Sequence, residues 1–259
     1  MDETVRCTVR EGIAEVTLAR PKVRNAFNGE LIAALRERFE RLSCADDVRA
    51  VVLAGEGEVF CGGADINWMR AALALTYEEN VAGAQAMSEM FRAIDRCSKP
   101  VIARVHGAAL GGGAGLAAVA DIVIASDETR FGFTEVKLGI IPAVISPFVL
   151  PKIGLSHARA LFVTGRRFDA ATAMRIGLVH GVVPRNALDD AVRETLEELK
   201  SAGPEAIAAI KALVPKVRAA SYDDSRDLTA AAIAHQRTTD EGQEGLRAFL
   251  ERRRASFVR

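Results

Sequence analysis

Two short runs of β-branched and apolar residues open the chain, at residues 4–9 and 13–18, and Glu11-Gly12 separates them. This pattern predicts an antiparallel β-hairpin. The hydrophobic period then changes. Leu31, Leu35, Phe39 and Leu42 recur at helical spacing with arginines and glutamates between them, and Asn28 stands where an N-cap is needed. Residues 49–54 (RAVVLA) form a continuous apolar run closed by Gly55, as expected of a strand buried on both faces. A helical stretch over 77–96 leads to a strand over 101–105, a Gly-rich turn with a short helix, and a strand over 121–125. Strands alternating with helices predict an α/β fold around a mainly parallel sheet with right-handed crossovers.

Beyond about Val183 only helical patterns remain, over 187–200, 204–217 and from 224 onward. Gly203-Pro204 is the clearest internal break, since Gly ends helices and Pro starts them. Ala230, Ala231, Ala232 and Ala234 offer a smooth face for packing on a helix or subunit; high helix propensity explains them equally well.

Composition narrows the function classes. The 259 residues include 34 basic and 34 acidic side chains and are 49% hydrophobic, so no net field draws the chain to nucleic acid or an anionic membrane. Only 5% are aromatic, which leaves little for base stacking. Cys7, Cys44, Cys61 and Cys97 are scattered, without a Cys-x-x-Cys pair, so reduced thiols are expected instead of a zinc site or disulfides. The start Met1-Asp2-Glu3-Thr4 lacks the basic and apolar stretches of a secretory signal, and no long apolar run suggests a membrane span. A cytoplasmic protein acting on a small molecule, with no metal or redox cofactor, is the expectation.

Three segments border predicted strands: Phe60-Cys61-Gly62-Gly63-Ala64-Asp65, His106-Gly107-Ala108-Ala109-Leu110-Gly111-Gly112-Gly113, and Phe131-Gly132-Phe133-Thr134-Glu135-Val136-Lys137-Leu138-Gly139. In α/β folds ligands collect at such strand ends. Residues 111–113 open into the apolar stretch 114–120, so unpaired N–H groups at a helix N-terminus would face outward there. A P-loop would need Gly-Lys-Ser/Thr, which is absent. A dinucleotide fingerprint is formally present from Gly113 to Ala118, but it starts well after the strand ends at Val105. The third reading is an oxyanion hole. Glu135 taken alone reads as a solvated residue. Its neighbours Phe131, Phe133, Val136 and Leu138 place it against apolar surface, where a carboxyl's pKa rises toward the range that acid/base work requires.

In order and spacing, the three segments resemble the signature of the enoyl-CoA hydratase/isomerase (crotonase) family, over essentially the whole chain. The resemblance implies a ββα spiral core with an acyl-CoA site over residues 1–196. It further implies a C-terminal helical, oligomerisation region over 197–259, assembled as trimers or dimers of trimers. Coenzyme A would enter only as part of the substrate. The N–H groups of Ala64 and Gly112 would hold the thioester oxygen as it gains charge, with Glu135 as general acid and base. The family's hydratases use two glutamates, and the first position is Gly115 here. Arg24, Ala64, Asp65 and Ile66 match positions that line the CoA, and Phe249 and Arg252 match a C-terminal segment that often reaches it; a solvated helix end explains that basic run as well. Ala26, Trp68, Gly111, Gly115 and Val144 complete the residues the resemblance assigns to substrate.

One carboxylate leaves hydration, double-bond isomerisation, decarboxylation and catalytic silence open. The segments GADINWM (63–69) and TEVKLGIIPAVIS (134–146) resemble methylglutaconyl-CoA or isohexenylglutaconyl-CoA hydratases. On that basis the expected reaction is reversible hydration of 3-methylglutaconyl-CoA to 3-hydroxy-3-methylglutaryl-CoA, as in leucine metabolism. The substrate's own carboxylate, or a water in the space left at Gly115, would stand in for the missing glutamate.

Overall fold

A computed structural model describes residues 4–258; the Met1-Asp2-Glu3 start that bears on targeting lies outside them. The opening hairpin is as expected: β1 (Val5–Arg10) and β2 (Ile13–Leu18) pair antiparallel, with Val5 opposite Leu18 and Arg10 opposite Ile13. Glu11 and Gly12 both have positive φ, 50° and 77°, which a tight two-residue hairpin turn demands. Asn28 caps α1 (Gly29–Ser43) by accepting from Leu31 N–H, and Leu31, Leu35, Phe39 and Leu42 form its buried face.

The chain then winds through β3 (Ala50–Gly55), α2 (Ile66–Ala72), α3 (Tyr77–Asp95), β4 (Val101–Val105), β5 (Ala108–Leu110), α4 (Gly112–Val119), β6 (Ile122–Ser126) and β7 (Arg130–Gly132). After these come α5 (Ser146–Thr164), β8 (Arg167–Asp169), α6 (Ala170–Arg175) and β9 (Gly181–Val183). One sheet has the order β1-β2-β3-β4-β6-β9 and is parallel from β2 onward; the other is β5-β7-β8. Single bridges, Cys61 with Ala109 and Phe27 with Ala64, lead on from the small sheet. Each turn of the chain thus gives a long strand to the large sheet, a short extended piece to the small one, and then a helix: a ββα spiral.

The central strands β3, β4 and β6 are buried on both faces, which is why they read as nearly unbroken apolar runs. Val51, Leu53, Val101, Ala103 and Val123 point into the main core with α1, α3 and α4. Val52, Ile102 and Ile124 meet Leu188 and Val192 of α7 (Leu188–Ser201) on the other face. The boundary drawn at residue 196 therefore falls inside α7, a helix that belongs to the sheet. Beyond it α8 (Pro204–Ala219), α9 (Tyr222–Thr238) and α10 (Asp240–Leu250) pack on one another. The single helix expected from 224 onward is two, divided at Thr239, whose hydroxyl caps α10. Among the described residues no helix is long and apolar enough to cross a membrane.

Buried Arg49, just before β3, ties this C-terminal layer to the sheet by donating to Ala202 O (2.8 Å) and Phe257 O (2.9 Å). Replacing it with methionine keeps the length of the side chain and strands both carbonyls. Arg49→Met is expected to lower unfolding stability by about 1–3 kcal/mol, read from the shift in urea midpoint at unchanged m-value.

Candidate active site

The segment after β3 runs beside β5. Cys61 N–H donates to Ala108 O (3.0 Å) and Leu110 N–H donates to Cys61 O (3.1 Å). Gly63, at φ +102°, lies so close to this strand that a β-carbon there would stand 3.0 Å from Leu110 O. Ala64 pairs with Phe27 through its neighbours: Phe27 N–H donates to Gly63 O (2.7 Å) and Asp65 N–H to Phe27 O (2.9 Å). Ala64 N–H takes no part in that bridge and makes no hydrogen bond among the described residues. Gly112 begins α4, so its N–H has no acceptor within the helix. The two donors named from the sequence thus sit on adjoining segments.

Glu135 starts a 3-10 turn over Glu135–Leu138, closed by Gly139 in the left-handed region. The strand before it is pinned by rings: Phe131 stacks on Phe168 at 5.9 Å, and Phe133 meets Phe162 edge-on at 5.1 Å. Leu138 does not shelter the carboxyl as the sequence suggested; it is 64% exposed, because the 3-10 turn carries it outward. The shelter comes from α4. A β-carbon at Gly111 would lie 3.2 Å from Glu135 Oε1, and Glu135 Oε2 is buried without a hydrogen-bond partner. Burial pushes the carboxyl pKa above its ordinary value, against a smaller opposing effect of its own backbone N–H.

Gly115 lies one turn along α4 from Gly111, its N–H bonded to Gly111 O (3.1 Å), so both face the same way. The space beside it is full. A β-carbon at Gly115 would stand 3.0 Å from both Ile145 Cβ and Phe91 Cζ, with the Ile145 Cγ2 methyl nearer still, and Ile145 is only 3% exposed. The water pocket considered at Gly115 is therefore not there. The missing side chain is replaced by an isoleucine from the AVIS stretch, a residue whose role the sequence did not reveal.

Of the residues assigned to CoA, Arg24 lies against this site. Its carbonyl accepts from Gly62 N–H (2.8 Å), and its exposed guanidinium makes no ion pair among the described residues. Ala26 is buried, and its carbonyl accepts from the Arg20 guanidinium. Asp65 serves the fold: it accepts from Asn67 N–H (2.8 Å) as the N-cap of α2 and pairs with Arg20 (2.8 Å). Burial opposes its ionisation, but those hydrogen bonds outweigh it and hold the carboxyl below its ordinary range. Ile66 is exposed, while Trp68 and Val144 are half-buried and pack against the main core. Phe249, 80% exposed, and Arg252 lie at the end of α10, which packs on α8 and α9, and the chain after them is held by Arg49 at the start of β3. The site follows the other end of that strand, so one chain does not bring these two residues to it.

Sequence reasoning passed over Arg20 and gave Asn25 no role. Asn25 is fully buried at φ +55°, and its amide donates to Glu56 O (2.9 Å) and Val59 O (2.9 Å). A polar residue inside the otherwise apolar 25–27 stretch was the available signal. His106 donates from Nε2 to Gly57 O (2.9 Å) and is likewise structural, with its pKa lowered by burial.

A model of the family described as enoyl-CoA hydratase/isomerase matches residues 8–259. The chain is 33% identical to a crotonyl-CoA hydratase of Syntrophomonas wolfei, over 99% of this chain and 98% of that one. Among solved structures it resembles AtuE of Pseudomonas aeruginosa, with a TM-score of 0.96 and 37% identity over 99% of this chain and 100% of that one. An enoyl-CoA hydratase from Shewanella pealeana gives a TM-score of 0.94 at 35% identity, over 98% and 95% of the two chains.

Two outcomes test this geometry. Gly115→Ala alone should destabilise the protein, and the loss should shrink when Ile145→Ala is added, because the second change frees the space the first needs; a thermal double-mutant cycle measures the coupling. For Glu135 the folded-state pKa is raised, so ionisation costs stability as pH climbs through that value. Glu135→Gln is therefore expected to melt higher than the parent in neutral buffer, with the gap closing as pH falls below the ordinary carboxylate range.

Proposed function

The chain belongs to the enoyl-CoA hydratase/isomerase family, and from that premise we propose that it catalyses the reversible hydration of 3-methylglutaconyl-CoA to 3-hydroxy-3-methylglutaryl-CoA. That it is a hydratase-type enzyme acting on an acyl-CoA thioester follows from its family and relatives. The observation that carries the chemistry is Glu135, whose carboxylate lies against the first turn of α4 with Oε2 unpartnered.

In the hydration direction Glu135 takes one proton from a water as its oxygen bonds to the β-carbon. The π electrons move to the thioester oxygen, which Ala64 N–H and Gly112 N–H receive as an enolate. Glu135 then returns the proton to the α-carbon, the carbonyl reforms, and the net change is addition of one water. Preorganised donors of this kind are each worth about a hundredfold to a thousandfold in rate. A raised pKa suits a carboxyl that must both take and give a proton near neutrality.

Two features support the substrate. The segments around Asp65 and Glu135 resemble methylglutaconyl-CoA hydratases. Ile145 and Phe91 occupy the place of a second carboxylate and of any water there, so a group on the substrate, its distal carboxylate, takes over orienting the nucleophile. Double-bond migration is the second reading, because one base shifting one proton needs no further carboxylate. The exposed apolar side chains Ile210, Val214, Ile233, Leu246 and Phe249 on α8–α10 support a homo-oligomer, a trimer or a dimer of trimers. Only from a neighbouring copy would Phe249 and Arg252 reach a bound CoA.

A panel of acyl-CoA esters assayed for water addition and double-bond migration tests the proposal. Methylglutaconyl-CoA should be hydrated at least about tenfold more efficiently than crotonyl-CoA, and Glu135→Gln should abolish turnover while keeping CoA-ester binding. Equal turnover of the two esters would sink the substrate assignment, migration without hydration would favour the isomerase, and binding without either would leave an acyl-CoA binder.

A further inference from the structure

Phe27 touches both of the segments that carry the candidate oxyanion donors. Its backbone closes the bridge that brackets Ala64, through Gly63 O and Asp65 N–H. Its ring lies against the start of α4: a β-carbon at Gly112 would stand 2.8 Å from Phe27 Cε2 and 3.0 Å from Cδ2. The ring has no freedom to drift, being fully buried and packed toward Phe91 at 6.2 Å between centroids. The backbone on either side is fixed as well. Arg20 holds Ala26 O and the Asp65 carboxylate together, and Asn25 locks the preceding residue to the 56–60 loop.

We infer that Phe27 is a positioning residue that sets the distance between Ala64 N–H and Gly112 N–H, with its backbone locating one donor and its ring locating the other. The inference rests on reading those two groups as the oxyanion hole. Two donors stabilise one developing charge only if both reach the same oxygen within about 2.7–3.1 Å. Shrinking the ring removes the spacer between them, and α4 settles toward Phe27. The ground-state thioester, bound mostly through its CoA arm, notices this less than the enolate does. Phe27 thus acts on kcat more than on KM.

Phe39 supplies the control, since it is a fully buried phenylalanine of α1 that packs only in the core. Phe27→Ala and Phe39→Ala are compared as folded enzyme, with Phe27→Leu as the conservative variant. Phe27→Ala should lose about tenfold or more in kcat relative to Phe39→Ala, with KM within about twofold and the pH dependence of kcat unmoved, and Phe27→Leu should recover most of the loss. If the alanine variant does not fold, Phe27→Val against Phe39→Val makes the same comparison. Acetoacetyl-CoA, whose α-proton is acidic, reports the hole directly through its enolate absorbance. The parent should stabilise the bound enolate and Phe27→Ala should do so less. A parent without any enolate shift overturns the oxyanion reading itself; a parent with the shift, and Phe27 and Phe39 variants alike in kcat and in the shift, overturns the role of Phe27 alone.

Discussion

Separate parts of the chain converge on the first turn of α4 at distances that leave little or no room for a β-carbon. Glu135 approaches at Gly111, the Phe27 ring at Gly112, the Cys61 backbone at Gly113, and Ile145 with Phe91 at Gly115. The helix beyond is built of small apolar residues and is buried on nearly every side, as a helix without a polar face must be. The spiral winds its short strands around this segment, and the loops after β3 and β7 end upon it. A side chain at Gly113 would meet the Cys61 backbone and one at Gly115 the buried Ile145 and Phe91, so neither fits without a shift of the neighbouring segment. Close packing, more than any single hydrogen bond, sets how these segments meet at the start of α4.

Within that frame the protein shifts two carboxyl groups in opposite directions. Asp65 is paired with Arg20 and bonded to backbone N–H groups, so it stays ionised and serves as structure. Glu135 has burial without a partner for Oε2, and its proton affinity rises. An unsatisfied buried oxygen costs about 1–3 kcal/mol or more, a cost in keeping with the proton-transfer role proposed for Glu135. Environments that push two like groups apart are how a site divides its labour.

Much of this was legible in the chain. Asn28 capped α1, Glu11-Gly12 turned the hairpin, and the unbroken apolar runs at 50–55 and 101–105 were strands covered on both faces. The three-residue strands β5, β7, β8 and β9 were not, because so short a segment shows no period and is held by its neighbours in space. The split at Thr239 was missed for a related reason: the chain runs on in helix-forming residues, and only the cap on Gly242 N–H marks the break. At the site, the segments that carry Ala64 and Gly112 adjoin and the Glu135 carboxyl approaches Gly111, whereas Phe27 and Ile145 pack across the chain, which leaves no trace in local spacing. Leu138 misled because a 3-10 turn rotates side chains differently from the strand its neighbours imply.

The contact between Ile145 and Gly115 also bears on an order of events. A carboxylate at position 115 would collide with isoleucine at 145, so the two side chains fit together only if one of them shrinks or moves. Passage from a one-carboxylate to a two-carboxylate site in which residue 145 shrinks first runs through an intermediate with neither side chain in that space. An intermediate of that kind would carry a cavity beside α4 and the lowered stability that goes with one, so the packing at this contact, and not the chemistry, would set the cost of the step.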